Sequence, residues 1–408
     1  LVVGVGAEGP DSLLPALQKR IAQADQLWGG ARLLAHWDGH PARQVVLGAQ
    51  LTRLIPQLRD RGEDCVVILA SGDPGFYGIA GTLLHYLPPE ELEIIPYPTS
   101  LQVAFAHAGI CWSDAVFTSA HARPLAEVVG WAKHAKKLGI LTDRHHSPGV
   151  IARELLAGGV QDCRAIVAEN LCLPDESLVD TFLSQLPGMV FGPLNVLLVL
   201  HDADWRPQPT FLIRPDAAYA HRHGLITKAD VRALSLSRLM ISETDTVWDI
   251  GAGSGAVSIE MASLAWRGQV FAVEYNAENL GYIRENLQRF GAYNVELVEG
   301  YAPPALAGLP SPSAVFIGGT GGAMVEILNY LAAAALPGCR VVMNLATLEN
   351  LYRALHAMKQ VVDEFEVAQV NIAQGKALEE YTRLAPLNPV FILSGVLKKG
   401  GEQHENRK

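Results

Sequence analysis

The chain has 408 residues, of which 49% are hydrophobic and 18% charged, and its formal net charge is −10. This length, against about 150 residues for one domain, predicts two or three domains, and the apolar content excludes disorder over most of the chain. The acidic balance argues against a surface that coats nucleic acid, so we expect no nucleic-acid partner.

The five cysteines form no CxxC pair, and the apolar runs are too short or too interrupted to span a membrane. No basic segment followed by an apolar one marks a signal peptide at the first residues. These features predict a cytoplasmic protein without a membrane partner. We also expect a homo-oligomer.

Residues 1–204 alternate short β-rich runs with segments of helical length, a pattern typical of an α/β domain. The runs are LVVGVG, QVVL, CVVILAS, LEIIPYP, AVFTSA, LGILTD, RAIVAEN and NVLLVLHDA. Residues 205–224 contain three prolines and a cluster of His and Arg without a helical period, so they are interpreted as a linker.

A second series of seven predicted strands follows over residues 225–400, after a helix near residues 228–239. The last two strands are joined by a segment too short for a crossover helix, so they should pair antiparallel. A mostly parallel sheet with one antiparallel strand is typical of Rossmann-like methyltransferases. The polar tail 401–408 is expected to be frayed.

A glycine-rich turn follows the first strand of this second series. Asp249 precedes Gly251, Gly253 and Gly255, and Glu274 ends the next strand. Such a turn lets backbone approach a ligand at a helix N-terminus, and an acidic residue at that distance suits ribose hydroxyls. A dinucleotide remains an alternative on this pattern, but the Asp249 carboxylate favours the ammonium of S-adenosylmethionine over a pyrophosphate.

Two more turns follow the third and fourth strands of the series. Gly300 and Tyr301 stand where this fold reaches an adenine, and Gly318 and Gly319 begin a run of small residues. The small residues would leave room for a large flat substrate beside the methyl donor.

In residues 1–204, three turns come at the predicted carboxyl ends of different strands, where open α/β sheets bind ligands. We therefore expect a second cofactor site there. Its candidate residues are Gly6, Ser71, Gly72, Asp73, Pro74, Thr99 and Ser100.

GVGAEGP, SGDPGFYG, the PTS turn and SAHAR resemble the tetrapyrrole methylase family, which includes methyltransferases of the cobalamin pathway. The second half is similar to their Rossmann-like partner through GLITKADVR, DIGAGSG, EGYAPPAL and VFIGGTGG. The resemblance implies an N-terminal tetrapyrrole methylase fold and a C-terminal methyltransferase sheet, with one S-adenosylmethionine per domain and Thr227 among the residues that contact it.

The resemblance also implies a tetrapyrrole substrate, methylated at C-5 by the first domain and at C-15 by the second, which removes the ring C acetate carboxyl group. Whether that substrate is metal-free or carries cobalt stays open. A nicotinamide-dependent reductase and a non-catalytic tetrapyrrole carrier are the competing interpretations.

A substrate with many carboxylates needs cationic side chains, and Arg is preferred for forked contacts. We expect His121 and Arg123 to hold the substrate in the first domain, and Arg222 and Lys228 in the second, with Arg232 in the same cationic group. No metal is expected, because the spaced pair His36 and His40 lacks further ligands.

Overall fold

The computed structural model describes residues 1–48, 51–121, 125–207, 209, 213–222 and 224–398. The chain divides into two compact units. Unit 1 comprises residues 1–156 and 160–207, and unit 2 comprises residues 157–159 and 208–408. Within the described residues, no helix is long and apolar enough to cross a bilayer. The predicted frayed tail 401–408 lies outside them.

Unit 1 contains two five-stranded sheets, of order β3-β2-β4-β1-β5 and β6-β7-β10-β8-β9. The first sheet is parallel throughout, whereas in the second only β6 and β7 pair parallel. The strands are β1 Val2–Val5, β2 Gln26–Gly29, β3 Arg43–Val46, β4 Val66–Ser71, β5 Ile94–Ile95, β6 Val116–Ser119, β7 Lys137–Leu141, β8 Arg164–Glu169, β9 Ser177–Phe182 and β10 Asn195–Leu200.

Two of these strands, β2 and β9, were not predicted. β2 has only four residues, includes a polar Gln and a Gly, and is buried along its whole length around Trp28. β9 is an exposed strand at the sheet edge and contains Ser, Asp and Thr. Neither run shows the apolar signal on which strand prediction depends.

Helices cover the sheets of unit 1, and the α5 N-terminus shows how the sequence fixes one of them. Thr99 accepts a hydrogen bond from the Gln102 amide, and the Gln102 side chain accepts one from the Thr99 amide, which is a capping box. The helices are α1 Pro15–Ala22, α2 Ala31–Leu34, α3 Leu51–Arg59, α4 Ile79–Tyr86, α5 Ser100–His107, α6 Leu125–His134 and α7 Pro148–Ala157.

Unit 2 is built on a seven-stranded sheet of order β13-β12-β11-β14-β15-β19-β16. The seven predicted strands are confirmed, and β16 and β19 pair antiparallel as expected. The segment between them carries an additional hairpin, β17–β18, that was not predicted. The strands are β11 Thr246–Ile250, β12 Gln269–Glu274, β13 Val295–Glu299, β14 Ala314–Ile317, β15 Arg340–Leu345, β16 Val362–Val370, β17 Ala373–Leu378, β18 Tyr381–Pro386 and β19 Val390–Leu397.

Five helices pack against this sheet, the first of them close to the predicted position. They are α8 Ala229–Leu239, α9 Ala256–Leu264, α10 Ala277–Phe290, α11 Met324–Ala334 and α12 Leu348–Val361. The strand order reverses at β11, which lies between β12 and β14. A crevice at the carboxyl ends of strands on either side of such a point is where open α/β sheets bind ligands.

The predicted linker 205–224 is structured over residues 213–222. Tyr219 is buried against α9, and its hydroxyl donates to Glu260 Oε1 at 2.9 Å. The Arg214 amide donates to the same oxygen at 3.1 Å. The segment from residue 213 is thus packed into unit 2, because it supplies an aromatic side chain to the core and donors to a buried carboxylate.

Candidate functional site

A cavity of about 320 Å³ opens at the carboxyl edge of the unit 2 sheet. Its wall is formed by the turns that follow β11, β12, β13 and β14, together with part of the predicted linker. The predicted site residues in the wall are Arg222, Gly251, Gly253, Glu274, Gly300, Tyr301 and Gly319.

The glycine turn after β11 has two positions where a side chain would be costly. Gly251 has φ +74°, and a Cβ there would lie 2.5 to 2.7 Å from backbone atoms of Gly319. Gly253 has φ +59°, and apart from its two chain neighbours no described residue has an atom within 4 Å of a Cβ built there. Gly251 therefore permits the two glycine turns to meet, whereas Gly253 leaves backbone exposed to the cavity.

Glu274 holds this turn in place. Its side chain is buried, and Oε2 accepts a hydrogen bond from the Gly253 amide at 2.8 Å. Oε1 accepts from the amides of Tyr275 at 2.9 Å and Asn276 at 2.8 Å. A carboxylate offers about four acceptor sites, so about one remains for a ligand hydroxyl at the cavity wall.

Asp249 lies behind the turn and does not line the cavity. It is fully buried, Oδ2 accepts from the Ser258 hydroxyl, and Oδ1 has no partner among the described residues. Burial, with the nearby Glu274 charge adding to it, raises the pKa of Asp249 to about 7. The structure therefore does not place this carboxylate where it would touch a cofactor directly.

Four other predicted residues of unit 2 stand away from the cavity wall. Gly255 begins α9 with φ +76°, and the Gly318 amide donates to the Ile250 carbonyl. The Thr227 carbonyl accepts from the Arg232 guanidinium, and Lys228 Nζ lies 3.5 Å from Asp216 Oδ2.

Arg232 is not a substrate-binding cation. It is fully buried, and its Nε donates to Glu260 at 3.0 Å while Nη1 donates to Asp216 at 2.9 Å. A guanidinium enclosed by two carboxylates has no free donor face for a ligand, so its inclusion among the clamps was wrong. Arg222, in contrast, is exposed and lies in the cavity wall, 4.0 Å from Glu278.

Two tyrosines that follow neighbouring strands add an aromatic surface to this cavity. Tyr275 and Tyr301 stack with ring centroids 4.1 Å apart and planes inclined by 18°. Tyr275 is 47% exposed and Tyr301 is 62% exposed, so the stacked rings present an aromatic surface to the solvent. Tyr301 was predicted, and Tyr275 was missed although it directly follows Glu274.

Unit 1 has a larger cavity, of about 490 Å³, bounded by both of its sheets. The first sheet contributes the ends of β1 and β4, and the second contributes the ends of β6, β7, β8 and β10. The predicted residues in its wall are Gly6, Ser71, Gly72, Ser100 and His121.

Three predicted residues of unit 1 shape the turns and do not line the cavity. Asp73 Oδ1 accepts from the Gly75 amide at 2.8 Å, and the Pro74 carbonyl accepts from Ala80 at 2.9 Å. Thr99 caps α5. Arg123 lies outside the described residues.

Arg32 was missed, although it supplies the one guanidinium among the described residues of the unit 1 wall. Its Nη2 donates to the Ser71 hydroxyl at 3.2 Å. Arg32 stands on α2, immediately after β2, so it could have been found only once β2 had been recognised. Thr142 and Asn195, which also line the cavity, are joined by a hydrogen bond of 2.7 Å.

The mostly parallel seven-stranded sheet of unit 2, with its glycine turn, is typical of Rossmann-like methyltransferases that use S-adenosylmethionine, and unit 1 has a cavity of its own. Two family models match the chain: tetrapyrrole (corrin/porphyrin) methylases over residues 1–187, and the precorrin methyltransferase domain over residues 217–396. A precorrin-6Y C(5,15)-methyltransferase (decarboxylating) of Sinorhizobium is 33% identical over 356 residues, covering 85% of this chain and 84% of the relative. The chain belongs to the precorrin-6Y C(5,15)-methyltransferase (decarboxylating) family.

Two shorter relatives each correspond to less than half of the chain. A protein of Pyrobaculum calidifontis named probable cobalt-precorrin-6B C(15)-methyltransferase (decarboxylating) is 36% identical, covering 44% of this chain and 93% of the relative. A cobalt-precorrin-7 C(5)-methyltransferase of Salmonella typhimurium is 36% identical, covering 43% of this chain and 87% of the relative. Each of these relatives is named for one of two methylations.

Proposed function

We propose that this chain methylates precorrin-6Y, in the reduced form also called precorrin-6B, at C-5 and C-15 and removes the carboxyl group of the ring C acetate, giving precorrin-8 in cobalamin biosynthesis. The observation that carries the proposal is 33% identity over 85% of the chain to a relative of that name. The presence of a separate cavity in each unit supports two transfers.

Each unit is proposed to bind one S-adenosylmethionine. In unit 2, the Glu274 carboxylate accepts from the ribose, and the exposed Gly253 backbone faces the methionine part. Gly300 and Tyr301 lie beside the adenine. Asp249 lies behind the turn and is fully buried, so it does not touch the cofactor. Its negative charge attracts the methionine ammonium through the turn.

In unit 1, the cofactor is proposed to lie against Gly6, Ser71, Gly72 and Ser100, all of which line the cavity. Asp73, Pro74 and Thr99 support it indirectly by fixing the turns from which these residues project.

The tetrapyrrole carboxylates are proposed to meet the cations of the two walls. Arg32 and His121 lie in the unit 1 cavity, and Arg222 lies in the unit 2 cavity with most of its side chain exposed. Lys228 does not line the unit 2 cavity and is already paired with Asp216. A guanidinium suits a carboxylate because it offers two parallel donors.

Methyl transfer forms a carbon–carbon bond at an electron-rich macrocycle carbon while the bond between sulfur and methyl breaks, and the electron pair stays on the sulfur. The reactants carry the reactive groups, so the protein contributes mainly position and orientation, which can supply about 7–11 kcal/mol. Unit 2 is proposed to catalyse the C-15 transfer and the decarboxylation, in which the acetate electrons enter the conjugated ring as carbon dioxide leaves. Unit 1 is proposed to methylate C-5.

A homo-oligomer is proposed as well, supported by the exposed hairpin β17–β18. Leu378, Tyr381 and Leu384 on this hairpin are 54%, 76% and 72% exposed. A two-stranded hairpin is marginally stable by itself, so a second copy of the chain would cover it. Light scattering that returns the mass of a single 44.0 kDa chain would refute this proposal.

The reaction is tested by incubating the full chain with the reduced precorrin and methyl-labelled S-adenosylmethionine, followed by mass spectrometry. We expect a product that has gained two labelled methyl groups and lost one carbon dioxide. A product with no labelled methyl group, or one with both methyl groups and an intact acetate, would contradict the proposed function.

A further inference from the structure

A cluster of chemistry-bearing side chains in unit 1 takes no part in the function proposed so far. His107 ends α5, and Cys172 and Glu176 lie in the loop between β8 and β9. One ligand atom from each of the three lies within 4.8 Å of the other two. The cluster therefore combines a nitrogen, a sulfur and an oxygen ligand from two separate segments of the chain.

The loop holds Cys172 in an uncommon backbone conformation. Cys172 has φ +63° and Asn170 has φ +48°, both in the left-handed region that side chains disfavour. The Cys172 amide donates to Glu176 Oε2 at 2.6 Å, and the Leu173 amide donates to the Asn170 carbonyl at 2.9 Å. Such strain in a residue beside a cavity points to a functional constraint on its side chain.

Cys172 also lines the unit 1 cavity, which the other two residues of the cluster do not. A cation bound to the Cys172 thiolate would therefore lie close to the cavity wall. With three protein ligands in a tetrahedral arrangement, one coordination position stays open.

The donor set suits zinc, which accepts thiolate, imidazole and carboxylate ligands together. A thiolate and a carboxylate would also neutralise a divalent cation. Ligand atoms about 2.0–2.1 Å from a tetrahedral ion are about 3.3 Å apart. His107 Nδ1 and Glu176 Oε1, now 2.6 Å apart and hydrogen-bonded, would have to separate by about 0.7 Å.

We propose that His107, Cys172 and Glu176 bind a divalent cation of the zinc class beside the unit 1 cavity. The fourth coordination position accepts a water molecule. The site is independent of the proposed methyl transfer, so the two can fail separately.

The test uses the full chain, stripped with a chelator and then titrated with zinc chloride by calorimetry and with cobalt chloride by absorption spectroscopy. We expect one ion per chain and a near-ultraviolet band from thiolate bound to cobalt. Cys172→Ser should abolish the band and weaken zinc binding by more than about 100-fold. Loss of a residue that only hydrogen-bonds to a metal ligand already lowers affinity up to about 100-fold, and loss of a ligand itself should cost more.

Cys111→Ser is the matched control, because Cys111 is an exposed cysteine in the same unit and outside the cluster. It should leave the zinc affinity and the cobalt band unchanged. Should Cys172→Ser fail to fold, judged by a lost melting transition, His107→Gln serves in its place and should weaken zinc binding comparably. Zinc binding that is absent from the parent chain, or equal in parent, Cys172→Ser and His107→Gln, would overturn the proposal.

Discussion

The two cavities differ in how their walls are built. In unit 2, one edge of one sheet supplies most of the wall, and the turn after β11 and the end of β12 meet through the hydrogen bond from Gly253 to Glu274. In unit 1, strands of two sheets converge on the cavity. In the turn after β4, the Asp73 side chain accepts a hydrogen bond from the Gly75 amide of the same turn. In both units, however, the predicted turn residues divide between those that line the cavity and those that hold the turns in place, whether one sheet or two form the wall.

The largest expected effect comes from filling the unit 2 turn. Gly253→Arg places a long cation in the space that is open beside the Gly253 backbone. We expect no S-adenosylhomocysteine binding in unit 2 and a product that keeps its acetate carboxyl group, while unit 1 still transfers one methyl group. Mass spectrometry of the product measures both.

Gly281→Arg is the control for this variant, because Gly281 is exposed on α10, away from the cavity, and a Cβ added there would meet no protein atom within 4 Å. It should behave like the parent chain. Normal decarboxylation by Gly253→Arg would remove the basis for assigning that step to unit 2.

A smaller loss is expected from Glu274→Gln. The amide keeps the size of the side chain but turns one acceptor into a donor, which then faces a backbone N–H. Losing a charge-assisted hydrogen bond costs about 1.5–3 kcal/mol, so the Kd for S-adenosylhomocysteine in unit 2 should rise about tenfold or more by calorimetry. Glu299→Gln, at an exposed pair with Arg284, is the control, and equal affinity in both variants would refute the ribose assignment.

Arg32→Gln tests the unit 1 wall. Removal of one charged contact to a substrate carboxylate should raise KM for the tetrapyrrole about tenfold, with kcat and the Kd for S-adenosylhomocysteine unchanged. Arg20→Gln, which removes an exposed guanidinium paired with Glu93, should change neither. A rise in the cofactor Kd that equals the rise in KM would assign Arg32 to the cofactor instead.

A further prediction concerns the pH dependence of stability. Burial raises the folded-state pKa of Asp249 to about 7 from an unfolded value of 3.8. Between those values the folded state keeps a proton that the unfolded state has lost, so the contribution of Asp249 to stability falls as pH rises from about 4 to 7.

The unfolding free energy of Asp249→Asn should therefore fall less between about pH 4 and pH 7 than the unfolding free energy of the parent. Urea unfolding of unit 2 at a series of pH values measures this difference. Asp230→Asn, at an exposed position of α8, should follow the parent. Parallel stability curves for parent and Asp249→Asn would show that Asp249 does not titrate in this window.

Much of unit 2 could be predicted, because its seven strands are apolar runs and its turn residues are adjacent in sequence. The buried state of Arg232 could not, since a charged residue near a helix start carries no local sign of the two carboxylates that enclose it. In unit 1, the two strands without an apolar pattern escaped prediction, and Arg32 escaped with β2. Contacts made between distant segments have no signature in a single sequence.

The central claim is that each unit binds its own S-adenosylmethionine. Calorimetric titration of the full chain with S-adenosylhomocysteine tests it directly, with Gly253→Arg alongside. We predict two sites per chain in the parent and one in the variant. One site in the parent that disappears in the variant would contradict the claim, because unit 1 would then hold no cofactor.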